Sequence, residues 1–388
     1  MTHCTLGETR RRPMLGALAA VFGALGSIAT AVSPAAAQNG ALIQTQPLYG
    51  APDGAAAYRI LYRSTGLSGE PIVVSGMVVI PQGDPPPGGR PIVAWAHPTT
   101  GVAPRCAPSL ARVRFQMIQG LRDMVERGYV VTATDYPGLG TPQTHPYLVG
   151  DSEGRAVLDS VRAAQALPGA QASSRFAVWG HSQGGQAALY AGLLAKGYAP
   201  DLQLVGVAAA APATELSTLM RDDLGTSGGN NLTAMTLWSW ARVYGAPIDN
   251  VVDPAAMPAV NRLAGECIES IFDLFERRRT EKSLEHGFLS VKNFAGGEPW
   301  RSLLARNTPG ALPPNIPVFL AQGDADKLVR PEVTADYMRR LCRDGSSVRM
   351  VVLPGVGHGV LGRDSASAAV AWIADRFAGI AAPSDCGQ

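Results

Sequence analysis

Residues 177–190 read AVWGHSQGGQAALY: an apolar run stops at Gly180, Ser182 follows, and two more glycines open a stretch of helix formers. Gly180 to Gly184 fit G-x-S-x-G with a strand-like run before and a helix-like run after, the setting of a nucleophile elbow. On such a turn the serine hydroxyl stands clear of the sheet, beside the positive end of a helix and its free N–H groups. A hydroxyl is a weak nucleophile until a base takes its proton. The chemistry to look for is therefore acyl transfer through Ser182, with an acid and then a histidine downstream.

Two histidines follow Ser182, His286 and His358. His358 lies in PGVGHG, just past the last strand-like run, and takes the role of base; His286 falls among helical patterns. His181, next to the nucleophile, is turned elsewhere by the elbow and is expected to line the pocket or pack. The acid must hold the second imidazole nitrogen and stabilise the imidazolium. FLAQGDADKLVRP offers Asp324 and Asp326, and G-x-x-D-x-x-V at Gly323, Asp326 and Val329 favours Asp326, leaving Asp324 as a turn residue. Two N–H donors must meet the oxyanion. One is the backbone of Gln183. The other comes from HPTTG after the PIVAWAHP run: Pro98 has no N–H, so Thr99 or Thr100 donates, with Thr99 favoured because its hydroxyl adds a further donor. His97 is expected to brace that loop. No dinucleotide, P-loop or H-E-x-x-H pattern is present, so neither cofactor nor metal is expected.

These residues need a scaffold. From about residue 70 apolar strands alternate with helical patterns: PIVVSGMVVIP, RPIVAWAHP, YVVTATDYPGLG, RFAVWGHS, LQLVGVAAAAPA, IPVFLAQGDAD and VRMVVLPGVGHG are the strands. SLARVRFQMIQGLRDMVERG, GRAVLDSVRAAQALPG, QGGQAALYAGLLAKG, PEVTADYMRRLCRDG and SAAVAWIADRFAGI are the helices. That order specifies an α/β fold with a mostly parallel sheet covered on both faces. Residues 214–312 break the alternation with helical patterns, including Leu232 to Trp240 and GECIESIFDLFERRR. So long a stretch is too much for a loop and reads as a helical cap between a first core segment, 38–213, and a second, 313–388. Leu232, Met235, Leu237, Trp238, Trp240 and Val243 could wall an acyl pocket or pack within the cap.

The 388-residue chain has 46% hydrophobic and 16% charged residues, enough for a large core and unlike a disordered or nucleic-acid-binding chain. Residues 1–37 carry an Arg-rich start, an apolar middle and the small-residue end Ala35-Ala36-Ala37, the pattern of a cleaved signal peptide. Arg11-Arg12 fits twin-arginine as well as general export. The mature protein is then secreted or periplasmic. Loss of Glu8, Arg10, Arg11 and Arg12 takes the formal net charge from +2 to zero, so electrostatics single out no partner. Cys106, Cys267, Cys342 and Cys386 remain; an even count in an exported chain reads as two disulfides in one of three pairings. Proximity in sequence favours Cys342 with Cys386, leaving Cys106 with Cys267.

DYPGLG (135–140), GHSQGG (180–185), GDADKLV (323–329) and GVGH (355–358), in this order and with CAPS at 106–109 and a long helical stretch before the acid, resemble the secretory lipase family of α/β-hydrolases. The resemblance spans roughly residues 45–388. It implies the α/β-hydrolase fold, a Ser182–Asp326–His358 triad, the same two disulfide pairings and hydrolysis of carboxylic esters, acylglycerols among them. The expected partner is a small-molecule or lipid ester, with transient contact at a lipid interface through the cap. An acyltransferase or peptidase on the same triad, and a catalytically dead binding protein, are the competing readings.

Overall fold

The structure is a computed structural model. It describes residues 39–387 apart from 223, 269–279 and 286. The expected signal peptide, His286 and most of the GECIESIFDLFERRR stretch lie outside the described residues.

Nine strands form one sheet in the order β1-β2-β3-β5-β4-β6-β7-β8-β9. They are β1 (Leu42–Leu48), β2 (Ala55–Thr65), β3 (Pro71–Pro81), β4 (Arg90–Ala96), β5 (Val130–Thr134), β6 (Ala172–His181), β7 (Gln203–Ala210), β8 (Val318–Gly323) and β9 (Val348–Leu353). From β5 to β9 every neighbouring pair is parallel, while β1, β2 and β3 extend the sheet antiparallel. The expected mostly parallel α/β sheet is present.

The central strands are apolar throughout because both of their faces are buried. Successive residues alternate between two cores. Ile92, Ala94, Phe176, Val178, Val207, Val318 and Leu320 face one core, where α2 (Gly150–Ala166), α3 (Gln183–Tyr198) and α8 (Pro331–Arg343) supply Val157, Ala188 and Tyr337. Val93, Trp95, Ala177, Trp179, Phe319 and Ala321 face the other, against Met124 of α1 (Leu121–Glu126) and Val370 and Ile373 of α9 (His358–Phe377).

Between β7 and β8 the described chain forms α4 (Leu216–Asp222), α5 (Ser227–Val243), α6 (Met257–Gly265) and α7 (Trp300–Arg306). Met235, Leu237 and Trp240 of α5 are fully buried. Trp240 stacks on Trp300 with ring centroids 6.5 Å apart.

Three local expectations change. β1 and β2 lie before residue 70, where no strand was expected; Tyr58, Ile60 and Tyr62 carry the alternation that marks β2. The helix expected over 109–128 shrinks to α1, because Gly120 takes φ 78° and the chain before it runs through turns. The final helix begins at His358 itself rather than near Ser367.

Disulfides join Cys106 to Cys267 and Cys342 to Cys386, the pairing that sequence proximity favours. The second holds the C-terminal segment on the edge strand β9. There Asp385 donates its N–H to Val348 O at 2.7 Å and accepts from the Met350 N–H at 2.7 Å.

Candidate active site

Ser182 sits between the last residue of β6 and the first of α3 with φ 59° and ψ −120°, a conformation that costs a non-glycine residue about 1–3 kcal/mol. Its surroundings hold it there. Its N–H donates to Ala210 O at the end of β7 (2.9 Å), and its carbonyl accepts from Gln186 (3.1 Å). A Cβ on Gly180 would strike the Gly184 carbonyl, and one on Gly184 would strike the carbonyls of Ala96 and His97. The glycines of the motif thus let α3 press directly against the end of β4.

The Ser182 hydroxyl reaches His358 Nε2 at 2.9 Å, and His358 Nδ1 reaches Asp326 Oδ2 at 2.8 Å. Asp326 follows β8 and is almost fully buried. Its Oδ1 accepts the N–H groups of Leu328 and Val329, both at 2.9 Å. These bonds fix the carboxylate, so the imidazole has one orientation. Asp324 is exposed and accepts from the Gly355 N–H at 2.6 Å, a turn contact away from the imidazole.

His181 is buried with its ring centroid 5.0 Å from that of His358. Burial, reinforced by the nearby His358, pushes its pKa down to about 3. It is a neutral ring that packs on His358 and lines the groove beside Ser182, in keeping with the expectation that it lines the pocket or packs. His97 braces the loop after β4: its ring nitrogens lie 2.7 Å from Pro98 O and 3.3 Å from Asp135 O, and it packs on Tyr136.

Thr99, Ser182 and Gln183 line one cavity together. Thr99 Oγ1 lies 2.9 Å from the Tyr147 hydroxyl. Thr100 is buried away from that cavity. As the first residue of α3, Gln183 has a backbone N–H without an intrahelical acceptor. Of the six apolar residues that could have walled the pocket, Leu232 lines this cavity, while Met235, Leu237 and Trp240 are consumed by packing.

One buried neighbour of the site escaped sequence reasoning. Glu153 of α2 is fully buried, and its Oε1 accepts from Gln183 Nε2 (2.7 Å) and from the Leu148 N–H (3.0 Å). Gln183 Nε2 also lies 3.2 Å from His145 Nε2, and His145 Nδ1 lies 2.8 Å from Pro137 O. The carbonyl fixes the tautomer: Nδ1–H donates to Pro137, which leaves Nε2 to accept from Gln183. Burial pushes His145 down to about 3, consistent with a neutral ring, and pushes the Glu153 carboxyl up to about 8. The signal for Glu153 was the glycine pair around it. A Cβ on Gly150 or Gly154 would meet Tyr190 of α3, so this face of α2 lies against the elbow helix.

The secretory lipase family profile matches residues 111–385, most of the chain. A secreted triacylglycerol lipase of Malassezia globosa is 26% identical over 353 residues, covering 84% of this chain and 72% of its own. A Mycobacterium tuberculosis protein named a probable inactive lipase is 29% identical over 186 residues, 45% of this chain and 41% of its own. Among solved structures, Candida antarctica lipase A in its closed state superposes with a TM-score of 0.75 at 19% identity, covering 90% of this chain and 85% of that one. A rice cell wall degrading esterase from Xanthomonas oryzae gives 0.71 at 20% identity, covering 88% and 99%. With the fold and the match over most of its length in agreement, the chain belongs to the secretory lipase family of α/β-hydrolases, a family of carboxylic ester hydrolases.

Proposed function

We propose that the protein cleaves carboxylic esters through an acyl-enzyme on Ser182. The observation that carries this reading is the unbroken hydrogen-bonded line from the Ser182 hydroxyl through His358 to Asp326. His358 Nε2 takes the hydroxyl proton as Oγ attacks the ester carbonyl, and Asp326 stabilises the imidazolium that forms. The carbonyl oxygen becomes an anion held by the N–H of Gln183 and a donor on Thr99. The tetrahedral intermediate collapses as His358 returns the proton to the departing alcohol oxygen. Water, deprotonated by the same nitrogen, then attacks the acyl-enzyme and releases the carboxylic acid and free Ser182.

In this reading residues 1–37 direct export and are removed, and residues 214–312 form the cap over the nucleophile, with any lipid surface met through that cap. No helix among the described residues is long and apolar enough to cross a membrane.

The test is Ser182→Ala assayed on p-nitrophenyl butyrate, with circular dichroism to verify the fold. Loss of the nucleophile removes at least about four orders of magnitude in kcat. A well-folded variant that keeps more than about a hundredth of the activity refutes the assignment.

A further inference from the structure

We propose that the preferred substrates are short-acyl esters of hydroxylated alcohols; this deepens the proposed function and rests on it. The proton returned by His358 Nε2 must reach the alcohol oxygen, so the alcohol lies on the His358 side of Ser182 and the acyl group on the other. The described residues divide the space around Ser182 along this line.

On the His358 side is a groove of about 360 Å³, lined by His358 and Gly359 as well as by Gln119, Asn231 and Glu281. Away from His358 is an apolar slot with room for only about 30 Å³. Leu148, Ala213, Leu216, Leu219, Met220 and Val329 wall it. Thr99, Leu232 and Leu328 border both spaces.

The slot is small because its walls are core residues. Leu148, Leu216, Met220 and Val329 are all buried, and a longer chain would have to displace α4 from its packing. Since about 10–15 Å³ of such room admits one water-sized group, the slot takes acyl tails of about two to three carbons. The groove is wider and mixed: Leu232, Ile268 and Leu328 line it together with the polar side chains of Gln119, Asn231 and Glu281. Asn231 Nδ2 donates to the Glu281 carboxylate, while Asn231 Oδ1 is buried with no hydrogen-bond partner among the described residues. A hydroxyl on the alcohol portion of the substrate satisfies that acceptor, and an alkyl alcohol leaves it unpaired.

Two substrate series test this, each with fluorophosphonate labelling of Ser182 run alongside. Across p-nitrophenyl acetate, butyrate, octanoate and laurate, kcat/KM is expected to be highest for acetate or butyrate and at least tenfold lower for octanoate. Met220→Ala, which lengthens the slot, shifts the maximum toward longer chains. Glyceryl monoacetate is expected to exceed hexyl acetate by about tenfold, and Asn231→Leu to narrow that gap. A labelled wild-type protein with its maximum at octanoate or longer, or one that prefers hexyl acetate, overturns the inference and leaves ester hydrolysis standing. A folded protein that neither labels nor turns over any of these esters overturns the proposed function as well. The wild-type profiles decide the matter even if either variant fails to fold.

Discussion

Glu153→Gln offers a perturbation whose size and sign follow from the site. In the unfolded chain a glutamate gives up its proton around 4.5, whereas in the fold burial raises Glu153 to about 8. Between those values the folded state holds one proton more than the unfolded state, so stability falls as pH rises. The contribution is fully present below about 4.5, declines by up to about 1.4 kcal/mol per pH unit, and is lost by about pH 8. Over that interval the loss amounts to about 4–5 kcal/mol. Gln keeps an acceptor for the Gln183 amide and the Leu148 N–H but cannot ionise. His145, the other titratable group on this chain of hydrogen bonds, stays neutral throughout because burial holds it near 3. The assay is urea unfolding of both proteins at pH 5 and pH 9. The two should match within about 1 kcal/mol at pH 5, and the variant should be more stable by several kcal/mol at pH 9. A difference that is the same at both pH values would refute the claim that Glu153 is held protonated beneath the elbow.

The two aspartates after β8 should separate cleanly. Asp326→Asn removes the anion that orients His358 and is expected to lower kcat by about 10⁴, while Asp324→Asn, which loses a turn contact to Gly355, should stay within a few-fold in an ester assay. Replacing Cys342 and Cys386 together by Ser opens a loop of 44 residues and should cost about 4 kcal/mol by the chain-entropy relation, read by urea unfolding against the intact protein.

How much was legible in the sequence differs residue by residue. The elbow was readable because its requirements are local: an apolar strand, a serine and glycines where a Cβ would collide. Asp326 was readable because the turn after β8 returns its own N–H groups to the carboxylate, a short-range pattern. β1 and β2 were missed because β1 is largely exposed at the sheet edge and β2 interleaves its buried residues with half-exposed ones, so neither presents a continuous apolar run. The helix around 109–120 was over-read because apolar spacing there suits a helix while Gly120 takes a left-handed turn. Glu153 looked like an ordinary polar helix residue. Its burial depends on α2 packing against α3, a contact between segments some thirty residues apart, and only the spacing of Gly150 and Gly154 hinted at it. The narrow slot beside Ser182 could not be read at all, since it is a matter of how α4 and the end of β7 pack rather than of residue type.

The bare contact of Gly184 with the end of β4 has a consequence for how such proteins diversify. It ties Ser182 and the loop bearing Thr99 to a single register, so neither can slide without the other. Lengthening that loop or shifting the elbow would disturb bond-making for every substrate alike. Among the described residues, α4 and α5 instead border the space beside Ser182 with Leu216, Leu219, Met220, Gly229 and Leu232. On the proposed mechanism, α4 and α5 can be remodelled to change the acid and alcohol accepted while Ser182, His358 and Asp326 keep their places.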